Sequence, residues 1–271
     1  MTVSTPTSTT RIITLRNGLN ITINEYGTPG DGTGALVLHG GAGPRSVAAF
    51  AATLSQHAYV VVPTHPGFDG TPRPDSTDTV ADLATAYLDV IEALGLHSVM
   101  VIGSSIGGWI ATEMGLLDNR GRLSALVLLG SVGIKPDHPL EIVDTEAISP
   151  AEFFRLAFHN PDLRPDPGAL SDEQWEVIAA NQRTVAVYAG KPYMHDPKLR
   201  GRLHRVTLPV LVIWGEQDGI VPPAYGHALA RSFPRVVFRS IPQAGHFPHL
   251  EQPGQVLGAL GDFVDTEVKG N

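Results

Sequence analysis

The sequence predicts an α/β fold: a mostly parallel sheet of about eight strands with helices on both faces and a helical segment inserted late in the chain. Three observations predict it. Short aliphatic and β-branched runs alternate with amphipathic segments of helix length. The runs are continuously apolar instead of alternating, as strands are when both faces of a sheet are covered. One interval of about 75 residues, from near Gly130 to near Pro209, is too long for an ordinary α/β connection and must carry its own structure.

The elements follow in order. Residues 11–15 and 20–24, joined through Arg16-Asn17-Gly18, read as an opening hairpin, because Asn-Gly readily adopts the positive φ of a tight turn. Six buried strands follow at residues 35–38, 59–62, 99–102, 126–129, 210–214 and 236–241. Residues 46–54, 79–94, 106–117, 224–232 and 255–264 have apolar positions at helical spacing and supply the crossovers. In the long interval, residues 150–158 and 171–188 read as helices with Ser149 and Ser171 as N-caps. Residues 134–203 are therefore expected to form a helical cap on a core made of residues 1–133 and 204–271.

Bulk properties narrow the function classes. The 271 residues are 42% hydrophobic and 17% charged, which argues for a packed globular protein and against disorder. Nineteen Lys and Arg stand against 27 Asp and Glu, a net charge of −8, and no basic cluster is present, so nucleic acid is not an expected partner. The absence of cysteine removes thiolate catalysis and thiolate metal sites. The first residues, MTVSTPTSTT, lack a charged and apolar leader pattern, and no run of about 18 apolar residues exists, so a cytoplasmic protein without membrane association is expected.

The chemistry-bearing residues lie where strands end. Residues 99–102 run into Gly103-Ser104-Ser105-Ile106-Gly107-Gly108 and then into a helix, the strand, sharp turn and helix of a G-x-S-x-G nucleophile elbow. Ser105 is the candidate nucleophile, and a Cβ at Gly103 or Gly107 would collide with the neighbouring backbone of so tight a turn. Asp218 follows the strand at 210–214 and is the candidate acid, with Glu216 a weaker substitute. His246, on the glycine loop Gly245-His246-Phe247-Pro248-His249, is the candidate base, with His249 close enough to compete. Ser105, Asp218 and His246 occur in the Ser, acid, His order of α/β-hydrolases. The loop His39-Gly40-Gly41-Ala42-Gly43-Pro44 offers an oxyanion hole through the N–H of Gly41, with Ala42 as the alternative donor, beside the N–H of Ile106.

Together HGGAGP at 39–44, HPGFDGT at 65–71, GSSIGG at 103–108, WGEQDGIVPP at 214–223 and GHFPHLEQP at 245–253 resemble the α/β-hydrolase superfamily over nearly the whole chain. The resemblance is to capped bacterial serine hydrolases related to esterases and meta-cleavage-product hydrolases. It implies acyl transfer to water without a cofactor or metal, on a small apolar or aromatic acyl substrate. The second loop departs from the usual Asp-x-Pro-Gly-x-Gly: His65 stands near the acid's place and Asp69 interrupts the glycines, leaving His65 either a substrate contact or a turn residue. Dehalogenases and epoxide hydrolases of this scaffold present a carboxylate where Ser105 stands. Proline iminopeptidases share an HGGAGP-like loop, but no acidic cluster for a free amino terminus is evident here.

Carboxylic-ester cleavage is the leading expectation. Carbon–carbon bond hydrolysis is its rival, which a cationic or polar anchor such as Arg183 or His195 would favour, and a non-catalytic small-ligand receptor is the alternative of another class. Phe153, Phe154, Phe158, Trp175, Tyr188, Tyr193 and Met194 are the residues expected to divide between a pocket over Ser105 and the cap's own core, while Trp109 is expected to pack.

Overall fold

The computed structural model describes residues 8–269. The opening hairpin is β1 (Ser8–Thr14) and β2 (Asn20–Tyr26), antiparallel and closed at Gly18, whose φ is 82°. The wound part runs β3 (Gly34–Leu38), α1 (Arg45–Leu54), β4 (Val60–Pro63), α2 (Val80–Ala93), β5 (Val99–Ser104), α3 (Ile106–Leu117) and β6 (Leu123–Leu129). After a long connection come β9 (Val210–Gly215), α6 (Pro223–Ala230), β10 (Val236–Ile241), the short α7 (Pro248–Glu251) and α8 (Pro253–Phe263). The connection itself holds β7 (Gly133–Ile134), α4 (Pro150–Ala157), α5 (Asp172–Ala189) and β8 (His195–Asp196).

Eight strands form one sheet in the order β1-β2-β4-β3-β5-β6-β9-β10, parallel from β4 onward and antiparallel at β1/β2 and β2/β4. Successive residues face opposite cores. Leu36, Leu38, Val61, Leu126, Leu128 and Trp214 pack with α2, α3 and α6, whereas Ala35, Val37, Val60, Val62, Val127 and Ile213 pack with α1 and α8. Burial on both faces is why these strands read as unbroken apolar runs. The chain winds one way from β3 to β4 and the other way to β5, so the crevice at the carboxyl ends of β3 and β5 is the topological switch point.

Serine caps hold the two helices of the connection as expected. Ser149 accepts from the N–H of Glu152, and Ser171 forms a capping box with Gln174. The connection leaves and returns at one place, because β7 pairs in parallel with β8, a two-residue ladder too short for the sequence pattern to reveal. Tyr225 of α6 fastens its start: its hydroxyl accepts from the N–H of Ile134 at 2.9 Å and donates to the Ile134 carbonyl at 2.7 Å. Arg202 fastens its end, donating to Glu113 of α3 and to Asp196 of β8. Among the described residues no helix is long and apolar enough to cross a membrane.

Tyr225→Phe leaves a buried N–H and a buried carbonyl of Ile134 without their partner. The expected loss is about 2 kcal/mol of unfolding free energy in urea titration, and an unchanged midpoint would show that β7 is held without this hydroxyl.

Candidate active site

Four loops at the carboxyl ends of β3, β5, β9 and β10 converge on one crevice. At the end of β5 the backbone of Ser105 is held at φ 54°, ψ −119°, a strained conformation for a residue with a Cβ. The elbow exists because its neighbours have no side chain: a Cβ on Gly103 would lie 2.2 Å from the Gly107 carbonyl oxygen, and one on Gly107 would lie 2.4 Å from that of Leu38. The Ser105 N–H donates to Leu129 of β6, and its carbonyl accepts from Gly108, Trp109 and Val132, so the turn is tied on both sides. Trp109 packs against Gly133, as a structural residue.

Asp218 and His246 meet directly. The Nδ1–H of His246 donates to Asp218 Oδ2 at 2.9 Å, and both side chains are almost wholly buried. Asp218 Oδ1 accepts from the N–H groups of Ile220 and Val221, each at 2.9 Å, so the carboxylate is oriented by three N–H donors. The donation from Nδ1 fixes the imidazole tautomer and leaves Nε2 as the free acceptor. His246 and Ser105 line the same cavity, with no direct hydrogen bond between them among the described contacts. Glu216 is exposed and accepts from Ser240 instead. His249 is buried with its Nε2 donating to the Ser46 carbonyl, away from the Asp218 couple.

The glycine loop lies over the elbow. A Cβ on Gly40 would sit 3.0 Å from the Ser105 Cβ, so this backbone passes directly across the serine. Gly41 and Ala42 line the cavity, and the N–H groups of Gly41 and Ile106 donate to no acceptor among the described residues.

Beneath this loop two imidazoles are stacked, with ring centroids 3.7 Å apart. His39 donates through Nδ1–H to the Gly40 carbonyl and accepts at Nε2 from the His65 N–H. His65 donates from Nε2 to the His39 carbonyl and accepts at Nδ1 from the Tyr87 hydroxyl. All four ring nitrogens are satisfied with both rings neutral. Burial pushes His39 down to about 4 and His65 well below the usual histidine range, the latter helped by repulsion from His39. His65 is thus neither a substrate contact nor a simple turn residue but a brace for the glycine loop.

The long connection touches both halves of the site. The last turn of α4 presents two carbonyls: Leu156 accepts from Gly219, beside Asp218, and Ala157 accepts from the N–H of His246 at 2.7 Å. Buried Glu251 adds a second tie, accepting from Gly245 at 2.6 Å and from Asn160 at 2.7 Å. Helix α5 is bound instead to the loop after β4. Thr184 and Tyr188 donate to the carbonyls of Gly67 and Pro66, and Asn181 pairs with Asp69 in both directions.

Between α4, α5 and the sheet ends lies a cavity of about 280 Å³. Of the aromatic and apolar candidates, Phe153, Phe154, Tyr193 and Met194 line it. Phe158 packs on Phe247, Tyr188 is spent on Pro66, and Trp175 lies outside the lining. Arg183 and His195 do not reach it either, and the lining contains no Lys, Arg, Asp or Glu. Among the described residues no three or more His, Asp or Glu are grouped so as to hold a metal ion.

A model of the alpha/beta hydrolase family matches residues 35–259, which run from within β3 to within α8 and include every residue of this site. The chain belongs to the alpha/beta hydrolase family. This hydrolase is 27% identical over 250 residues to a 2-hydroxymuconate semialdehyde hydrolase of Pseudomonas putida, covering 87% of this chain and 88% of that one. It is 25% identical over 245 residues to a pimeloyl-[acyl-carrier protein] methyl ester esterase of Chromobacterium violaceum, covering 85% and 91%. Its fold is shared with a thermophilic esterase of Thermogutta terrifontis, at a TM-score of 0.74 and 24% identity over 96% of this chain and 99% of that one.

Burial of neutral His39, His65 and His249 ties stability to pH. Each binds a proton below about pH 6.5 when unfolded but resists it when folded, so the stability is full above that value and drains as pH falls toward about 4 for His39 and His249. Each such group contributes a slope of up to about 1.4 kcal/mol per pH unit. Urea titrations at pH 7, 6 and 5 should show a steepening loss, and a flat profile would contradict the neutral, buried assignment.

Proposed function

We propose that the protein is a serine hydrolase that cleaves a neutral carboxylic ester through an acyl-enzyme on Ser105. The observation that carries this reading is one uncharged cavity lined by Ser105 on its strained elbow, by the His246 ring that Asp218 holds, and by Gly41, whose N–H, like that of Ile106 next to Ser105, has no acceptor among the described residues. His246 Nε2 takes the Ser105 proton as Oγ attacks the carbonyl carbon, and Asp218 holds the ring and stabilises the imidazolium. The N–H groups of Gly41 and Ile106 receive the developing oxyanion, aided by the amino end of α3, and His246 returns the proton to the leaving alcohol. Water activated by the same imidazole then releases the acid. Residues 134–203 act as a cap that shields this chemistry and shapes the acyl site.

The similarity to a 2-hydroxymuconate semialdehyde hydrolase keeps carbon–carbon hydrolysis as the competing reading. A carboxylate-bearing substrate of that kind needs a cationic partner once buried. The absence of Lys and Arg from the lining therefore favours a neutral ester.

Ser105→Ala is expected to abolish both turnover of p-nitrophenyl esters and fluorophosphonate labelling. Asp218→Asn should lower kcat by roughly 10³–10⁴ while labelling slows in parallel. A folded wild type that takes no label would overturn the reading in favour of a ligand receptor, and labelling without ester turnover would favour the carbon–carbon reaction.

A further inference from the structure

The cavity wall is apolar except at a few points, and those points are not equivalent. The Tyr193 hydroxyl is occupied by Thr145, and Gln182 sits at the exposed rim. Asn181, one turn before Val185 on α5, is 4% exposed and lines the cavity. Its amide is bonded twice to a single residue: Oδ1 accepts from the Asp69 N–H at 2.9 Å and Nδ2 donates to Asp69 Oδ1 at 2.9 Å.

That bridge removes the usual freedom of an asparagine. Only the oxygen can accept from a backbone N–H and only the nitrogen can donate to a carboxylate, so the amide cannot flip. Asp69 is itself fixed at φ 47°, with Arg45 at 3.5 Å from its other oxygen. Gly43 closes against the pair: a Cβ there would lie 2.9 Å from Asn181 Nδ2. One N–H and one lone pair of Asn181 have no partner among the described residues, and their directions are set before any ligand arrives. Asparagine is a weak helix former, so neither the interior of α5 nor an apolar wall favours it on its own account.

We propose that Asn181 is a specificity residue that donates its free N–H to a neutral oxygen on the substrate, so that the site selects esters carrying an ether, keto or hydroxyl oxygen over their all-carbon counterparts. The inference rests on the serine-esterase reading and adds the second polar point of the substrate, away from the scissile carbonyl. A buried donor built for an oxygen discriminates against the analogue that lacks it, because the donor is then left unpaired.

The test uses two near-isosteric pairs, p-nitrophenyl methoxyacetate against butyrate for the acyl side and 2-methoxyethyl acetate against butyl acetate for the alcohol side. Comparing each substrate between wild type and Asn181→Leu cancels its intrinsic reactivity. In one pair the oxygenated member should lose about tenfold in kcat/KM, mainly through KM, while its all-carbon partner stays within about twofold. Asp69→Gly, which keeps the N–H but releases the amide, should lose part of the same discrimination and serves if the leucine variant does not fold. Equal losses in both members of both pairs, with fluorophosphonate labelling intact, would make Asn181 a brace only and overturn the proposal. Absence of labelling in wild type would refute the hydrolase reading, and this proposal with it.

Discussion

The site depends on a crossing of backbones from which side chains are excluded. Where β5 turns into α3, Gly103 passes within contact of Gly107 and Gly107 within contact of the end of β3, at distances no Cβ tolerates. That proximity lifts Ser105 onto a turn it would not adopt alone and brings the glycine loop after β3 across it. The strain at Ser105 is a local cost that the ties to Leu129, Gly108 and Val132 offset. The parallel sheet matters to the chemistry mainly as the frame that makes this crossing rigid.

Around the crossing, the protein fixes each loop with buried hydrogen bonds that leave few polar atoms over. The stacked His39 and His65 hold the glycine loop from below as neutral rings, with every ring nitrogen engaged. Asp218 is oriented by its own loop before it meets His246.

Most of the fold was legible because burial on both faces makes strands continuous and helices periodic. The strained turn at Ser105 was legible because sterics force glycines around it. The meeting of Asp218 with His246 was legible only through their places on loops after strand ends and their order after Ser105, since Glu216, His249 and Glu251 on the same loops have structural partners. What stayed hidden depends on contacts distant in sequence. Nothing in HPGFDGT distinguishes a ligand-facing His65 from one stacked beneath His39, and only the partner 26 residues away decides it. Asn181 reads as an ordinary polar position of a helix until Asp69, 112 residues earlier, is placed against it. Glu251 lies within GHFPHLEQP, yet a buried acid bonded only to backbone N–H groups leaves no spacing signal.

The way the long connection is moored has a consequence for how such proteins diversify. Its first helix is bonded to the loops that carry Asp218 and His246, its second to the loop after β4, and its ends to α3 and α6. It is therefore not a detachable module that can be traded freely between relatives. A graft that brings new walls to the cavity also replaces the carbonyls that align His246 and the amide that locks onto Asp69. Inheritance of a new pocket then requires matching changes in loops encoded more than a hundred residues apart, so the shape of the cavity and the placement of His246 beside Asp218 are selected together.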